Sequence, residues 1–99
     1  MTKNELIDVV AEKTSMTKKD TGVVVNEMID TIMDHLKDEA AKPEDKRDKV
    51  QLIGFGTFEV RDRSARKGRN PKTNEEIMIP ARKVPVFRSG KSFKENVDV

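Results

Sequence analysis

The chain has no cysteine, no tryptophan and no tyrosine, and only one histidine and four phenylalanines among its 99 residues. Each absence removes a class of explanation. Without cysteine there is neither a disulfide to staple the fold nor a thiolate to hold zinc, and His35 alone cannot build a metal site. The core is thin, because 34% of residues are hydrophobic and 4% aromatic, and a chain of this length buries a modest share of its surface. Self-association is the remaining source of burial, and for such chains the folded monomer barely exists. No apolar run approaches a membrane span, and Met1-Thr2-Lys3-Asn4-Glu5 leads directly into an amphipathic pattern without an apolar signal core. A soluble intracellular protein with no membrane partner, cofactor or metal is expected.

Groups suited to catalysis are equally scarce. His35 lies near the end of an acidic helix with no nucleophile beside it, and reads as an imidazole favoured by the helix C-terminus or flanking the core. Glu75 and Glu76 read as solvated turn or strand charges rather than an acid–base pair. No enzyme is expected.

What the chain does have is charge, unevenly distributed. The formal net charge is only +2, but residues 1–50 carry nine Lys or Arg against twelve Asp or Glu, and residues 51–99 carry eleven against six. An acidic half is joined to a basic one, so the two halves have different work.

Thr2 and Glu5 have capping-box spacing, and Leu6, Ile7, Val10 and Ala11 recur at helical intervals, which predicts a helix over residues 3–14. Thr17 and Asp20 repeat the start signal. Val25, Met28, Ile29, Ile32 and Leu36 then form the apolar stripe of a longer helix that must find a partner surface. Ser15 and Met16 leave a tight turn between the two helices. Residues 37–49 prolong the second helix by a turn at most before Pro43 stops it, and a solvated loop is expected beyond. Val50, Leu52, Phe58 and Val60 alternate around Gly54-Phe55-Gly56, predicting two strands joined by a tight turn. Ile77, Met78, Ile79, Val84, Val86 and Phe87 mark a return strand, and Pro80 and Pro85 place it at an edge or bulge. Ser89 is expected to cap a short last helix with Phe93 and Val97 on its buried side. The division expected is a helical dimerisation region at 1–42, a loop at 43–49, a sheet with its arm at 50–88 and a C-terminal helix at 89–99, together one α+β domain.

Between the strands lies Ser64-Ala65-Arg66-Lys67-Gly68-Arg69-Asn70-Pro71-Lys72-Thr73-Asn74, cationic, rich in turn residues and almost without apolar side chains. It cannot stabilise itself by burial, so it is expected to project and to become ordered on a polyanion. Across residues 61–91, Arg61, Arg63, Arg66, Lys67, Arg69, Lys72, Arg82, Lys83, Arg88 and Lys91 face only Asp62, Glu75 and Glu76. Arg61 and Arg63, two apart, share one strand face and start a cationic track suited to phosphates. Gly68 and Asn74 tolerate positive φ and are expected to flank the tip. Pro71 reads either as a turn former or as an apolar wedge. A helix-turn-helix reader is disfavoured, because Asp20, Glu27, Asp30, Asp34, Asp38 and Glu39 make the second helix acidic.

Gly54-Phe55-Gly56-Thr57-Phe58-Glu59-Val60-Arg61, Ala65-Arg66-Lys67-Gly68-Arg69-Asn70-Pro71-Lys72-Thr73, Ile79-Pro80-Ala81 and Lys83-Val84-Pro85 together resemble the bacterial HU and integration host factor family of DNA-bending proteins, closest to HU. Ala11-Glu12-Lys13 and Lys18-Lys19-Asp20 extend the likeness nearly end to end. The resemblance implies the integration-host-factor-like fold: a helical hairpin, a three-stranded antiparallel sheet with a protruding two-stranded arm, and a short C-terminal helix, intertwined as a homodimer or a heterodimer with a paralogue. It implies a histone-like protein of the bacterial cytoplasm and nucleoid that binds double-stranded DNA without sequence specificity and prefers it bent, nicked or gapped. The family's own mode is minor-groove binding with intercalating wedges. On matching positions Arg61, Arg63, Arg66, Lys67, Arg69, Asn70 and Lys72 would line the arm and Pro71 would intercalate. Arg82, Lys83, Arg88 and Lys91 would hold flanking phosphates. Phe55, Phe58 and Phe87, with the stripe of Met28, Ile29, Ile32 and Leu36, would fill the dimer core. Three departures stand out: the segment 37–49 is longer than the family's connection, Ser89 replaces a frequent Pro, and Asn74 replaces a frequent tip Gly. The alternatives are a site-specific bender of the integration host factor kind and a protein that binds structured RNA. More remote is a structural dimer whose basic ribbon meets an acidic protein.

Overall fold

The computed structural model describes all 99 residues, Met1–Val99. They divide into two compact units, Met1–His35 and Leu36–Val99. The first unit is a helical hairpin whose ends follow local chemistry. Helix α1 (Lys3–Thr14) starts where the Thr2 hydroxyl accepts the Glu5 N–H at 3.2 Å. It stops at Ser15, left-handed at φ 56°, whose N–H returns to the carbonyls of Ala11 and Glu12. Helix α2 (Lys18–Glu39) starts the same way, with the Thr17 hydroxyl accepting the Asp20 N–H at 3.1 Å. Ile7, Ala11 and Thr21 are buried, and the Thr21 hydroxyl donates to the Thr17 carbonyl at 2.8 Å, so burial leaves it satisfied. Along the stripe Val25, Ile29 and Ile32 are half-buried and Met28 is 52% exposed, while Val23, Val24 and Met33 also face solvent.

The second unit holds β1 (Val50–Leu52), β2 (Gly56–Arg63), β3 (Arg66–Arg69), β4 (Glu76–Ile79), β5 (Arg82–Ser89) and α3 (Lys91–Val97). Strands β1, β2 and β5 form an antiparallel sheet in that order, and β3 and β4 pair separately as a two-stranded arm. The α+β architecture and the arm agree with expectation. The β1–β2 turn closes with the Phe55 N–H on the Leu52 carbonyl at 2.9 Å, and Gly54 takes φ 87°, which only glycine adopts without strain. Pro85 lies on β5, an edge strand, as a proline must. Pro80 sits not in a bulge but in a symmetric break. Pairing runs from Gly56 with Ser89 to Arg63 with Arg82, and resumes in the same register at Arg66 with Ile79. Ser64 and Ala65 on one side and Pro80 and Ala81 on the other are skipped.

All four phenylalanines meet in one cluster. Phe58 and Phe87 are cross-strand partners with ring centroids 4.7 Å apart, and Phe55 stacks on Phe93 of α3 at 5.3 Å. Two expectations at this end need correction. Ser89 is the last residue of β5, and Gly90, not Ser89, occupies the helix cap without any side-chain cap bond. Its place is decided by close approach: the Gly90 N–H reaches the Phe55 carbonyl at 2.8 Å and the Phe93 N–H reaches the Gly54 carbonyl at 3.0 Å. A Cβ on Gly90 would stand 2.8 Å from the Gly54 backbone, so the turn itself supplies the acceptors that a serine would have. Val97 is 66% exposed rather than buried.

The segment 37–49 also departs from expectation. Helix α2 ends at Glu39, a single 3-10 turn spans Glu44–Lys46, and the Arg47 side chain is only 4% exposed. This is a packed connection, not merely a solvated loop.

Candidate nucleic-acid interface

Strand register assigns each cation to a face. Arg61 and Arg63 alternate on one side of β2 opposite Val84 and Arg82. In the arm, Lys67 and Arg69 share one face with Met78 and Glu76, while Arg66 and Gly68 share the other with Ile79 and Ile77. The arm therefore is not a single cationic track: Lys67 and Arg69 lie on one face, and on the other Arg66 stands beside an isoleucine ridge that composition did not reveal. Gly68 is corrected accordingly. It is a strand residue rather than a tip turn, and a Cβ there would come within 2.8 Å of the Ile79 Cδ1. Around the break, Arg63, Ser64, Arg66, Ile79, Pro80 and Arg82 line an open concavity of about 250 Å³.

The tip is built by Asn70. Its N–H donates to the Glu75 carbonyl at 3.0 Å, its carbonyl accepts the Asn74 N–H at 2.7 Å, and its Oδ1 accepts the Lys72 N–H at 2.9 Å. That last bond spans Pro71 and makes an Asx turn, leaving the exposed proline ring at the apex. Asn74 adopts φ 59°, the left-handed geometry expected of it, and its Oδ1 accepts from the Arg69 Nη1 at 3.3 Å. The Asn70 side chain holds the turn.

On the body, Glu59 gathers cations from three places in the chain. Its Oε1 meets the Arg61 Nε at 2.8 Å and the Arg88 Nη1 at 3.7 Å, and its Oε2 meets the Lys49 Nζ at 3.2 Å. Glu59 is itself buried, 4% exposed. Burial pushes its carboxyl up, but the hydrogen bonds and charges of Lys49 and Arg61 more than offset this and hold it below the ordinary carboxylate range. Three cations on one carboxylate leave a net positive surface. Lys49 was not foreseen as part of it, because nothing local in the sequence says that it ends beside Glu59. Lys91 stands at the start of α3, 3.9 Å from Glu95, and Lys72 and Lys83 are exposed.

The chain thus presents a cationic two-stranded arm with a proline apex, continuing from a three-stranded sheet. The family model of bacterial DNA-binding proteins matches residues 1–98. The chain belongs to this HU family. It is 56% identical over 97 residues to the DNA-binding protein HU 1 of Bacillus subtilis, covering 98% of this chain and 97% of that one. It is 53% identical over 97 residues to the DNA-binding protein HU of Geobacillus stearothermophilus, covering 98% and 99%. Among solved structures, an Anabaena HU–DNA cocrystal structure matches with a TM-score of 0.86 and 49% identity over 99% of this chain and 98% of that one. HU from Thermotoga maritima matches with a TM-score of 0.66 and 33% identity over 99% and 100%. The matched length takes in helices, sheet and arm alike. No helix is long and apolar enough to cross a membrane.

Proposed function

We propose that this HU-family chain is a histone-like architectural protein of the bacterial nucleoid, which binds double-stranded DNA without sequence specificity and bends it as a dimer. The arm carries this reading: three cations on β3, Lys72 in the tip, and an Asx turn that presents Pro71 to solvent. Likeness to an HU chain solved with DNA supports the DNA-binding part. In this reading Arg61, Arg63, Arg66, Lys67, Arg69 and Lys72 follow the phosphates, and Pro71 enters the minor groove between base pairs, the mode known for this family. Arg82, Lys83, Arg88 and Lys91 hold the flanks. Asn70 acts by shaping the tip.

A second copy supplies the burial that one chain lacks. Val23, Val24, Met28 and Met33 in the first unit and Ile53 and Phe55 in the second are large apolar side chains open to solvent, Ile53 almost completely at 96%. Such residues in a chain this rich in charge support self-association.

Smooth bending of a short site costs on the order of 1–6 kcal/mol, which phosphate contacts from two arms and their flanks offset. Binding then falls steeply with salt, because each neutralised phosphate releases counterions. A bend-resolved titration on intact and nicked duplexes across salt tests the reading, and affinity that stays constant from low to high salt would sink it.

A further inference from the structure

Strand β1 covers β2 only as far as the pair Val50–Phe58, whereas β5 follows β2 to Arg63. From Glu59 to Arg63, at the root of the arm, β2 thus has a strand on one side only. Pro85 has no N–H, so its pairing with Val60 is a non-hydrogen-bonded one, and the backbone groups of Val60 and Asp62 turn toward the uncovered edge. Continuing the β1 register would set Asp48 opposite Val60. Instead the Asp48 N–H is taken by the Glu39 Oε1 at 2.6 Å, which diverts the chain away from β2.

Side chains from the connection fill the vacated edge. The Arg47 Nη1 donates to the Val60 carbonyl at 3.4 Å, and the Glu44 Oε2 accepts the Asp62 N–H at 3.1 Å. The Arg47 Nη2 also pairs with the Asp62 Oδ1 at 2.9 Å. Arg47 is anchored from behind, its Nε on the Lys42 carbonyl at 2.9 Å and its Nη2 on the Ala40 carbonyl at 3.2 Å. A guanidinium with several carbonyl and carboxylate acceptors is a rigid fork, unlike a lysine on a flexible stem. Asp62, which it grips, lies between Arg61 and Arg63 and two residues before the break that leads into the arm.

We propose that residues 40–49 form an edge cap that fixes the direction in which the arm leaves the sheet, with Arg47 and Glu44 as positioning residues for DNA bending. Its functional half rests on the DNA-bending reading of the arm. The cap substitutes for a longer β1: it satisfies the strand edge without offering a free ladder to another chain, and it ties the connection to Asp62 at the arm root.

Amide hydrogen exchange in the free full-length protein, together with bend measurement on gapped DNA by energy transfer, tests this. Glu44→Ala removes an exposed acceptor without disturbing a core, and Arg47→Met keeps the buried stem while deleting the fork. Both are expected to speed exchange at Asp62 by about tenfold, the loss of one charge-assisted hydrogen bond. Exchange at Phe58 should stay as in the parent, and the bend on gapped DNA should shrink while affinity is largely kept. Unchanged protection of Asp62 in Glu44→Ala would overturn the proposal, as would a full parental bend in a variant whose Asp62 exchanges faster. If Arg47→Met fails to fold, Glu44→Ala decides alone. A parent protein that does not bind gapped DNA would overturn the bending reading instead, and the exchange result would still decide whether the cap exists.

Discussion

Arg63 and Arg82 are register partners in the last pair of the β2–β5 ladder, so two exposed guanidiniums share one rung at the root of the arm. Like charges directly opposite each other destabilise a strand pair by a few tenths to about 1 kcal/mol. A phosphate beside them converts that repulsion into attraction. Arg82→Gln is therefore expected to raise the melting temperature of the free protein at low salt and to weaken DNA binding. The slope of log affinity against log salt should become shallower by about 0.9 for each phosphate contact removed. Melting curves at two salt concentrations with a parallel binding titration check both halves, and an unchanged slope would remove Arg82 from the interface.

Pro71→Ala separates wedge from turn. The Asn70 to Lys72 bond that shapes the tip does not use the proline ring and should survive. Loss of the wedge should reduce the bend and the preference for nicked or gapped DNA, where a few kcal/mol of unstacking are already spent, more than it reduces affinity for intact duplex. Equal losses on both substrates would return Pro71 to the role of a turn former.

Glu59 makes stability depend on acid. Its native carboxyl is held below the ordinary value, so its contribution is fully present above the unfolded-state pKa of about 4.3 and is lost as the pH falls through the lower native value. Urea midpoints should be level near neutrality and decline as the pH drops below about 4. Glu59→Gln should lower the neutral midpoint and flatten that decline. A variant with the parent's full acid dependence would show that other carboxylates carry it.

Gly56→Ala probes the phenylalanine cluster. A Cβ at Gly56 would press on the Phe87 ring and lie 2.6 Å from the Arg88 carbonyl oxygen, where neither ring nor backbone gives way freely. A destabilisation of about 1–3 kcal/mol is expected from such overpacking. Gly68→Ala presses mainly on the Ile79 side chain, whose Cδ1 would lie 2.8 Å away, and meets no backbone, so it should cost less. Chemical denaturation of the two variants at equal protein concentration checks the order, which would be reversed if the arm were the more tightly packed element.

Much of the framework was legible because its causes are local. Thr2 and Thr17 cap the helices that their spacing to Glu5 and Asp20 announced, and Asn74 takes the left-handed conformation that its side chain tolerates. The alternating runs around Gly54 became β1 and β2. Gly68 misled because a glycine in a turn-rich stretch suggests a reversal, whereas in β3 it makes room for Ile79. Ser89 misled because a good capping residue loses when backbone acceptors from a distant turn already wait beside Gly90.

The sequence by itself determined where the first two helices begin, that a segment at residues 64–74 projects between two strands, and that it is cationic, since capping, alternation and charge are properties of near neighbours. Tertiary structure alone decided that Glu59 is buried among Lys49, Arg61 and Arg88, that Arg47 locks onto Asp62, and that Lys67 and Arg69 take one face of the arm while Arg66 shares the other with Ile77 and Ile79. Those outcomes depend on which residues far apart in the chain share a strand register or meet across a connection. A buried charge is tolerable only where such partners arrive together.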